Sequence, residues 1–326
     1  MAILVGIDEA GYGPLLGPLV VSSTAFSISD DLLGADHWHL LSRAVARRKK
    51  NLAGRLLITD SKKAYSRSSG ITHLRRTVLA SLLALDRCSR PPRCVCELLD
   101  ALMCPSAERL AEYEWYNALS DKGLGDDGGA VGIASAVLGN SLSANNMKLV
   151  NMTCRCLDVG YYNRMVSAVR NKATVLFTAV SDLINDAYQS TYDSQSDGVL
   201  QIIVDRQGGR IDYTRPLRRM FSALDLKVIR QDNSLCSYEL TGKGRTMRLH
   251  FVVKADEKYL PVALASMTGK YVREILVDAI NRYFISHCAD LKPTAGYWQD
   301  GQRFIKDLQR RLPHVKYDPA KLIRQR

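Results

Sequence analysis

Three apolar runs in this chain each stop at an aspartate. Leu4-Val5-Gly6-Ile7 leads into Asp8, Ile202-Ile203-Val204 into Asp205, and Phe251-Val252-Val253-Lys254-Ala255 into Asp256. Short β-branched runs bounded by turn formers read as strands, and strands are rigid enough to converge their terminal side chains at one edge of a sheet. Alone, each aspartate reads equally as a strand cap or the first residue of a turn. Taken together, and with Glu9 directly after Asp8, they make four carboxylates that repel one another strongly unless cations lie between them. Hard oxygen donors of this kind suit Mg²⁺ or Mn²⁺. Two such ions ~3.5–4 Å apart activate water and stabilise the leaving oxygen in phosphodiester cleavage.

The rest of the chain supplies helices between these strands. The spacing predicts strands over 2–7 and 19–26, joined by a Gly/Pro-rich turn from Gly11 to Pro18. A helix is expected over 31–50, ending in Arg47, Arg48, Lys49 and Lys50, with a short strand at 56–58 after it. Ile71, Leu74, Val78, Leu82 and Leu85 recur at helical spacing and predict an amphipathic helix over 71–86. Further on, strands are expected at 147–157, 199–204, 226–231 and 247–254, with helices at 162–189, 214–223, 259–286 and 299–312. Alternation of this kind argues for an α/β layered domain. Residues 87–150 are less regular, with Pro91-Pro92, a helix expected at 106–119 and a glycine-rich loop from Gly123 to Gly129. They read as an insertion in a single domain spanning 1–326.

Charge and composition narrow the function. The 45 basic residues exceed the 33 acidic ones by 12, and arginine supplies 29 of the 45. Such a surplus favours a polyanion such as nucleic acid, although a basic protein without that partner remains the alternative. No run approaches the ~18 apolar residues of a membrane span, and the first residues lack the basic start of a signal peptide, so a soluble, cytoplasmic protein is expected. Eight cysteines in such a chain read as reduced thiols, although the pairs Cys94/Cys96 and Cys154/Cys156 leave open a zinc site of unusually tight spacing. Gly11, Gly13 and Gly17 miss the dinucleotide-loop spacing by one residue, and Asp8 and Glu9 would repel a pyrophosphate. The six histidines form no metal-binding pattern, and His37 and His39 are expected on a solvent-facing helix. The basic segment from Asp318 to Arg326 carries no clamp-binding motif and reads as a flexible tail. No protein partner is readable, and a monomer is the default.

Asp8-Glu9-Ala10-Gly11-Tyr12-Gly13-Pro14-Leu15-Leu16-Gly17-Pro18 closely resembles the N-terminal signature of the type 2 ribonucleases H. Thr59-Asp60-Ser61-Lys62-Lys63, Ile203-Val204-Asp205, Val253-Lys254-Ala255-Asp256 with the helix segment Ala265 to Glu274, and Ala295-Gly296-Tyr297 resemble further family blocks in the same order. The likeness spans roughly 2–85 and 150–310. It implies an RNase H-like fold, with a central mixed β-sheet flanked by helices and a helical C-terminal segment at about 287–326 that contacts substrate. It also implies metal-dependent endonucleolytic cleavage of RNA–DNA hybrids or of ribonucleotides embedded in duplex DNA.

Carried over, Asp8, Glu9, Asp205 and Asp256 become ligands of two Mg²⁺ or Mn²⁺ ions. Gly11, Tyr12 and Gly13 form the loop that reads the ribose 2′-hydroxyl, and Tyr297 stacks near the sugar beside the scissile bond. The family usually has Arg or Lys between those glycines, so Tyr12 removes a cation that should meet a phosphate. A nuclease of altered substrate, towards structured RNA or DNA junctions, and a binding protein without catalysis therefore stand as alternatives. Lys62 and Lys63 can clamp a backbone phosphate or simply occupy a surface turn. Ser266, Lys270 and Arg273 fall on one helical face, opposite an apolar face of Leu264, Met267, Tyr271 and Ile275. Ser266 and Lys270 are expected to face substrate, with an ordinary solvated face as the competing account.

Overall fold

β1 (Ala2–Ala10) is apolar on both faces because it lies in the middle of a seven-stranded sheet. The computed structural model describes residues 1–65, 70–85, 89–105, 107–120, 123–125, 128–193, 199–242 and 244–325. Its other sheet strands are β2 (Leu19–Ile28), β3 (Met147–Leu157), β4 (Leu200–Asp205), β5 (Asp225–Gln231), β6 (Leu235–Gly242) and β7 (Arg245–Val252). The spatial order is β3-β2-β1-β4-β7-β6-β5. β2 runs antiparallel to β1 and β3, whereas β1, β4 and β7 are mutually parallel. The sheet is therefore mixed and carries helices on both faces, as expected.

The long helices are α1 (Thr72–Leu83), α2 (Gly128–Ala144), α3 (Val159–Val169), α4 (Lys172–Asp193), α5 (Leu260–His287) and α6 (Trp298–Arg311). Alternation along β1 assigns them to layers. Leu4 packs into a core with α1, α2 and α5, while Val5 and Ile7 pack into a second core with α3 and α4. Residues around Val95–Ala101 and Trp115 share the first core, and the Trp115 ring lies 5.9 Å from Phe284 of α5.

α5 lies flush on the sheet because two glycines remove the intervening side chains. A Cβ on Gly6 would fall 2.3 Å from backbone atoms of Pro261 and Val262, and one on Gly269 would fall 2.7 Å from Ser22 Oγ. At this distance β2 hydroxyls reach the helix backbone, Ser22 Oγ donating to Ala265 O and Thr24 Oγ1 to Pro261 O, each at 2.7 Å. Neither side of the helix segment around Lys270 is solvated. Ser266, Lys270, Arg273 and Glu274 are all buried.

Several expected elements differ. The helix expected over 31–50 is a 3₁₀ turn (Asp30–Leu32), a four-residue helix (His37–Leu40) capped by Asp36, and a short strand (Val45–Ala46) paired with Leu56–Leu57. Trp38 Nε1 donates to Ile58 O at 2.8 Å and draws this segment inward, so His37 is buried rather than solvent-facing. The helix expected over 162–189 is broken at Arg170, which is left-handed (φ +49°), and Asn171 Oδ1 then caps α4 through the Ala173 and Thr174 amides. Between 106 and 119 the described residues form only a short helix (Ala107–Leu110) and a 3₁₀ turn (Glu114–Tyr116).

β6 and α2 are elements that the sequence pattern does not mark. Glycine and serine dilute the helical pattern of α2, although Val131, Ala134, Leu138 and Leu142 do form its buried face. The C-terminal segment is docked rather than loose. Pro319–Leu322 is helical, Ile323 bridges to Leu16, and Asn163 Nδ2 donates to Ala320 O and Ile323 O at 2.8 Å.

The Cys154 thiol hydrogen-bonds Cys104, and that bond, with burial, pushes it up. Among the described residues no helix is long and apolar enough to cross a membrane.

Candidate active site

The parallel register places the carboxylates. Ile7 of β1 pairs with Val204 of β4, so the next residues, Asp8 within β1 and Asp205 at the end of β4, lie at the same level on adjacent strands. β7 stops at Val252, and a left-handed Lys254 (φ +54°) turns the chain so that the Ala255 amide donates to Asp205 Oδ1 at 2.7 Å. Asp256, in the 3₁₀ turn Ala255–Glu257, is thereby swung back towards Asp205. Carboxyl ends of parallel strands are the common position for sites in open α/β sheets.

These groups lie within one another's electrostatic field. Burial raises Asp8 well above the usual carboxylate range, and the charges of Glu9 and Asp205 raise it further. Burial and Asp205 push Glu9 up to about 8, against the pull of the Lys62 ammonium. Asp256 is pushed up to about 6 by burial, then by Asp60 and Asp205, and Asp205 itself is raised chiefly by burial. Asp60 is thus a fifth carboxylate of the cluster. It ends its own apolar run, Leu56-Leu57-Ile58-Thr59, in the same pattern as the other three aspartates, but its turn-forming context concealed that role.

The raised Glu9 carboxyl carries a stability consequence. Its folded pKa of about 8 lies above its unfolded value of 4.5, so ionising it weakens the fold as pH climbs through that window. With divalent ions chelated away, Glu9→Gln is expected to raise the thermal midpoint at pH 8 by several degrees, on the order of 1–3 kcal/mol, and to leave it unchanged at pH 4.5. Equal midpoints at pH 8 would show that Glu9 is not held in this cluster.

Neighbouring residues position the acids. Ser266 of α5 hydrogen-bonds Asp8 and also reaches Ser61 Oγ at 3.0 Å, so it joins the Asp60-Ser61 turn to β1. Lys62 is exposed at the cluster's mouth and holds down the pKa values of Glu9, Asp205 and Asp256. Lys63 instead pairs with Glu257 at 2.7 Å. Lys270 is buried, with its ammonium 2.6 Å from Glu274 Oε1 and 4.9 Å from the centre of the Tyr65 ring.

Gly11-Tyr12-Gly13 directly follows β1. Gly11 is left-handed (φ +90°), and a Cβ there would fall 2.5 Å from Arg273 Nε, whereas nothing lies within 4 Å of a Cβ on Gly13. Arg273 is fully buried, pairs with Glu274, and donates to Leu16 O and Ala295 O at 3.4 and 3.2 Å. The Leu15 and Leu16 amides also donate to Gly296 O. These bonds fasten the loop to the Ala295-Gly296-Tyr297 segment and leave the Tyr297 ring half exposed, 5.7 Å from the Arg273 guanidinium. Arg324 completes the support, with Nε donating to Pro14 O at 3.0 Å and Nη2 to Gly11 O at 2.5 Å. Nothing in the spacing of Arg273, Glu274 or Arg324 marks these contacts in the sequence.

No family model and no curated protein matches this chain. Among solved structures it is similar to a chain of the PCNA:RNase HII complex from Archaeoglobus fulgidus (16% identity, 99% of this chain and 94% of that chain covered, TM-score 0.45). It is also similar to Aquifex aeolicus RNase H3 (15%, 98% and 70%, TM-score 0.41) and to Bst-RNase HIII in complex with Mn²⁺ (15%, 94% and 62%, TM-score 0.37). The chain resembles the type 2 ribonucleases H. Since each TM-score is below 0.5, that resemblance rests on the motif blocks of the sequence.

Proposed function

We propose that this chain is a metal-dependent endonuclease of the ribonuclease H type that hydrolyses RNA in RNA–DNA hybrids or ribonucleotides embedded in duplex DNA. The observation that carries this reading is the set of mutually repelling carboxylates, Asp8 buried and Asp205 and Asp256 half-buried, gathered at the carboxyl edge of β1, β4 and β7 beside a glycine loop open to a ligand. Asp8, Glu9, Asp205 and Asp256 are hard oxygen donors that suit Mg²⁺ or Mn²⁺ in kind. As placed, no group of three or more His, Cys, Asp or Glu among the described residues is arranged to hold an ion. When bound there, two divalent ions would supply Lewis acidity and an activated water.

The chain's own residues do the rest. Ser266 and Ser61 orient Asp8, and Lys62 balances the cluster's charge towards solvent. Gly11 lets the loop turn in against Arg273, and Gly13 leaves space for a ribose to approach the backbone. Tyr297 offers an exposed ring for a sugar or base. Lys63 pairs with Glu257 and Lys270 with Glu274.

The two glycines separate folding from recognition. Gly11→Ala is expected to destabilise the fold by roughly 2–4 kcal/mol, through strain at positive φ and a clash with a buried arginine. Gly13→Ala is expected to leave the thermal midpoint within about a degree and to raise KM for a ribonucleotide duplex several-fold. A Gly13→Ala enzyme with unchanged KM would remove that loop from substrate recognition.

The function itself is tested by cleavage of three labelled duplexes with Mg²⁺ and then Mn²⁺: all DNA, DNA with one ribonucleotide, and an RNA–DNA hybrid. Cutting confined to the ribonucleotide-bearing duplexes is expected. Binding without cutting of any duplex would favour an inherited fold without the reaction.

A further inference from the structure

Arg324 is a buried cation without a counter-ion. Only 3% of it is exposed, and no carboxylate pairs with it among the described residues. Its Nε and Nη2 are spent on the carbonyls of Pro14, Gly11 and Tyr12, and its guanidinium lies 4.9 Å from the centre of the Tyr162 ring. Nη1 is buried and has no hydrogen-bond partner. Burying a charge is costly unless an opposite charge or full hydrogen bonding offsets it.

Arg324 lines a cleft of about 230 Å³ with Tyr12, Gly13, Pro14, Tyr162 and Lys172. Lys172 is exposed, and its ammonium lies 5.1 Å from the centre of the Tyr12 ring. It opens α4, where the helix dipole disfavours a cation, and Asn171 already caps the first amides. Two cations thus flank one cleft, and each is placed at a cost that an anion would relieve. Burial and the nearby Arg273 lower Arg324 to about 10, which still leaves it charged at neutral pH.

We propose that this cleft binds a phosphate of the substrate strand, with the Lys172 ammonium as its donor, the buried Arg324 guanidinium as the charge behind it, and Tyr12 as the ring that holds Lys172 in place. The cation missing between Gly11 and Gly13 is, on this account, supplied from α4 and from the C-terminal segment. The proposal rests on the nuclease reading for the strand's identity, but the anion site rests on Arg324 and Lys172 alone.

The test is a phosphate-by-phosphate scan of binding in EDTA. Duplexes with one ribonucleotide carry a single neutral methylphosphonate at successive positions, and their Kd is measured for the native chain and for Lys172→Ala. The native chain is expected to lose about tenfold in affinity at one position of the ribonucleotide-bearing strand. Lys172→Ala is expected to lose about tenfold on the all-phosphate duplex, with a salt slope lower by about one, and then less than twofold more at that position. Arg324→Gln should behave alike where it folds, but exposed Lys172 keeps the test independent of it.

Parallel losses in both proteins at every position would overturn the proposal. If those parallel losses are accompanied by a rise in thermal midpoint with inorganic phosphate that Lys172→Ala abolishes, the cleft takes a free anion and not the strand. If ribonucleotide duplexes are cut but no phosphate couples to Lys172, the cleft proposal fails and the nuclease reading stands. Coupling without any metal-dependent cutting has the opposite meaning.

Discussion

Asp8→Asn is expected to lower turnover of a ribonucleotide-bearing duplex by 10³-fold or more, about 4 kcal/mol of transition-state stabilisation, with duplex affinity changed by less than about threefold. Asp8 is the most central of the acids. It lies on interior strand β1 at the level of Asp205, feels the charges of Glu9, Asp205 and Asp256, and is oriented by Ser266. Asparagine keeps its size and its hydrogen bond but removes the charge that an incoming cation would meet. The same variant should blunt the rise in thermal midpoint that Mg²⁺ or Mn²⁺ gives the native chain, because metal that binds only the folded state stabilises it by mass action. Near-normal turnover in Asp8→Asn would remove these carboxylates from the reaction. An unchanged midpoint of the native chain in both metals would favour a protein that only binds nucleic acid.

Gly6→Val is expected to abolish folding or to cost at least ~4 kcal/mol, the largest stability effect of any substitution considered. Its Cβ would fall 2.3 Å from backbone atoms of α5, which cannot move aside as a side chain does. Any displacement of α5 also carries Ser266 away from Asp8 and strips the Ser22 and Thr24 hydroxyls of their helix carbonyls. Gly139→Ala in α2, where nothing lies within 4 Å of the new Cβ, serves as the control and is expected to stabilise by roughly 0.5–1 kcal/mol. A denaturant midpoint for Gly6→Val within experimental error of the native value would show that α5 does not lie on β1 as described.

The gathering of the acids is legible in the sequence. A run of apolar residues that ends in aspartate carries its own meaning, because a strand's direction and its last side chain are local properties. Asp8, Asp205 and Asp256 follow that rule, and the α/β alternation and the long helix after Asp256 are equally local. The same rule applied to Asp60 points to the fifth carboxylate, but its short strand and its turn-forming character before Ser61-Lys62-Lys63 make a turn the simpler account, and Asp60 does accept from the Lys62 amide.

What the sequence left open is what depends on partners far along the chain. Whether Ser266, Lys270 and Arg273 face water or protein was undecidable from helical spacing, since period alone does not say what lies opposite a face. Gly6 and Gly269 settled it by letting α5 lie flush on the sheet. The C-terminal residues read as a flexible basic tail because nothing local opposes that reading. Only the tertiary structure supplied the Gly11–Pro14 carbonyls, more than 300 residues away, that bury Arg324. Strand ends and side-chain chemistry are written locally in this chain, whereas burial, and with it the pKa of each acid and the need of each cation for an anion, is set by contacts that only the folded chain brings together.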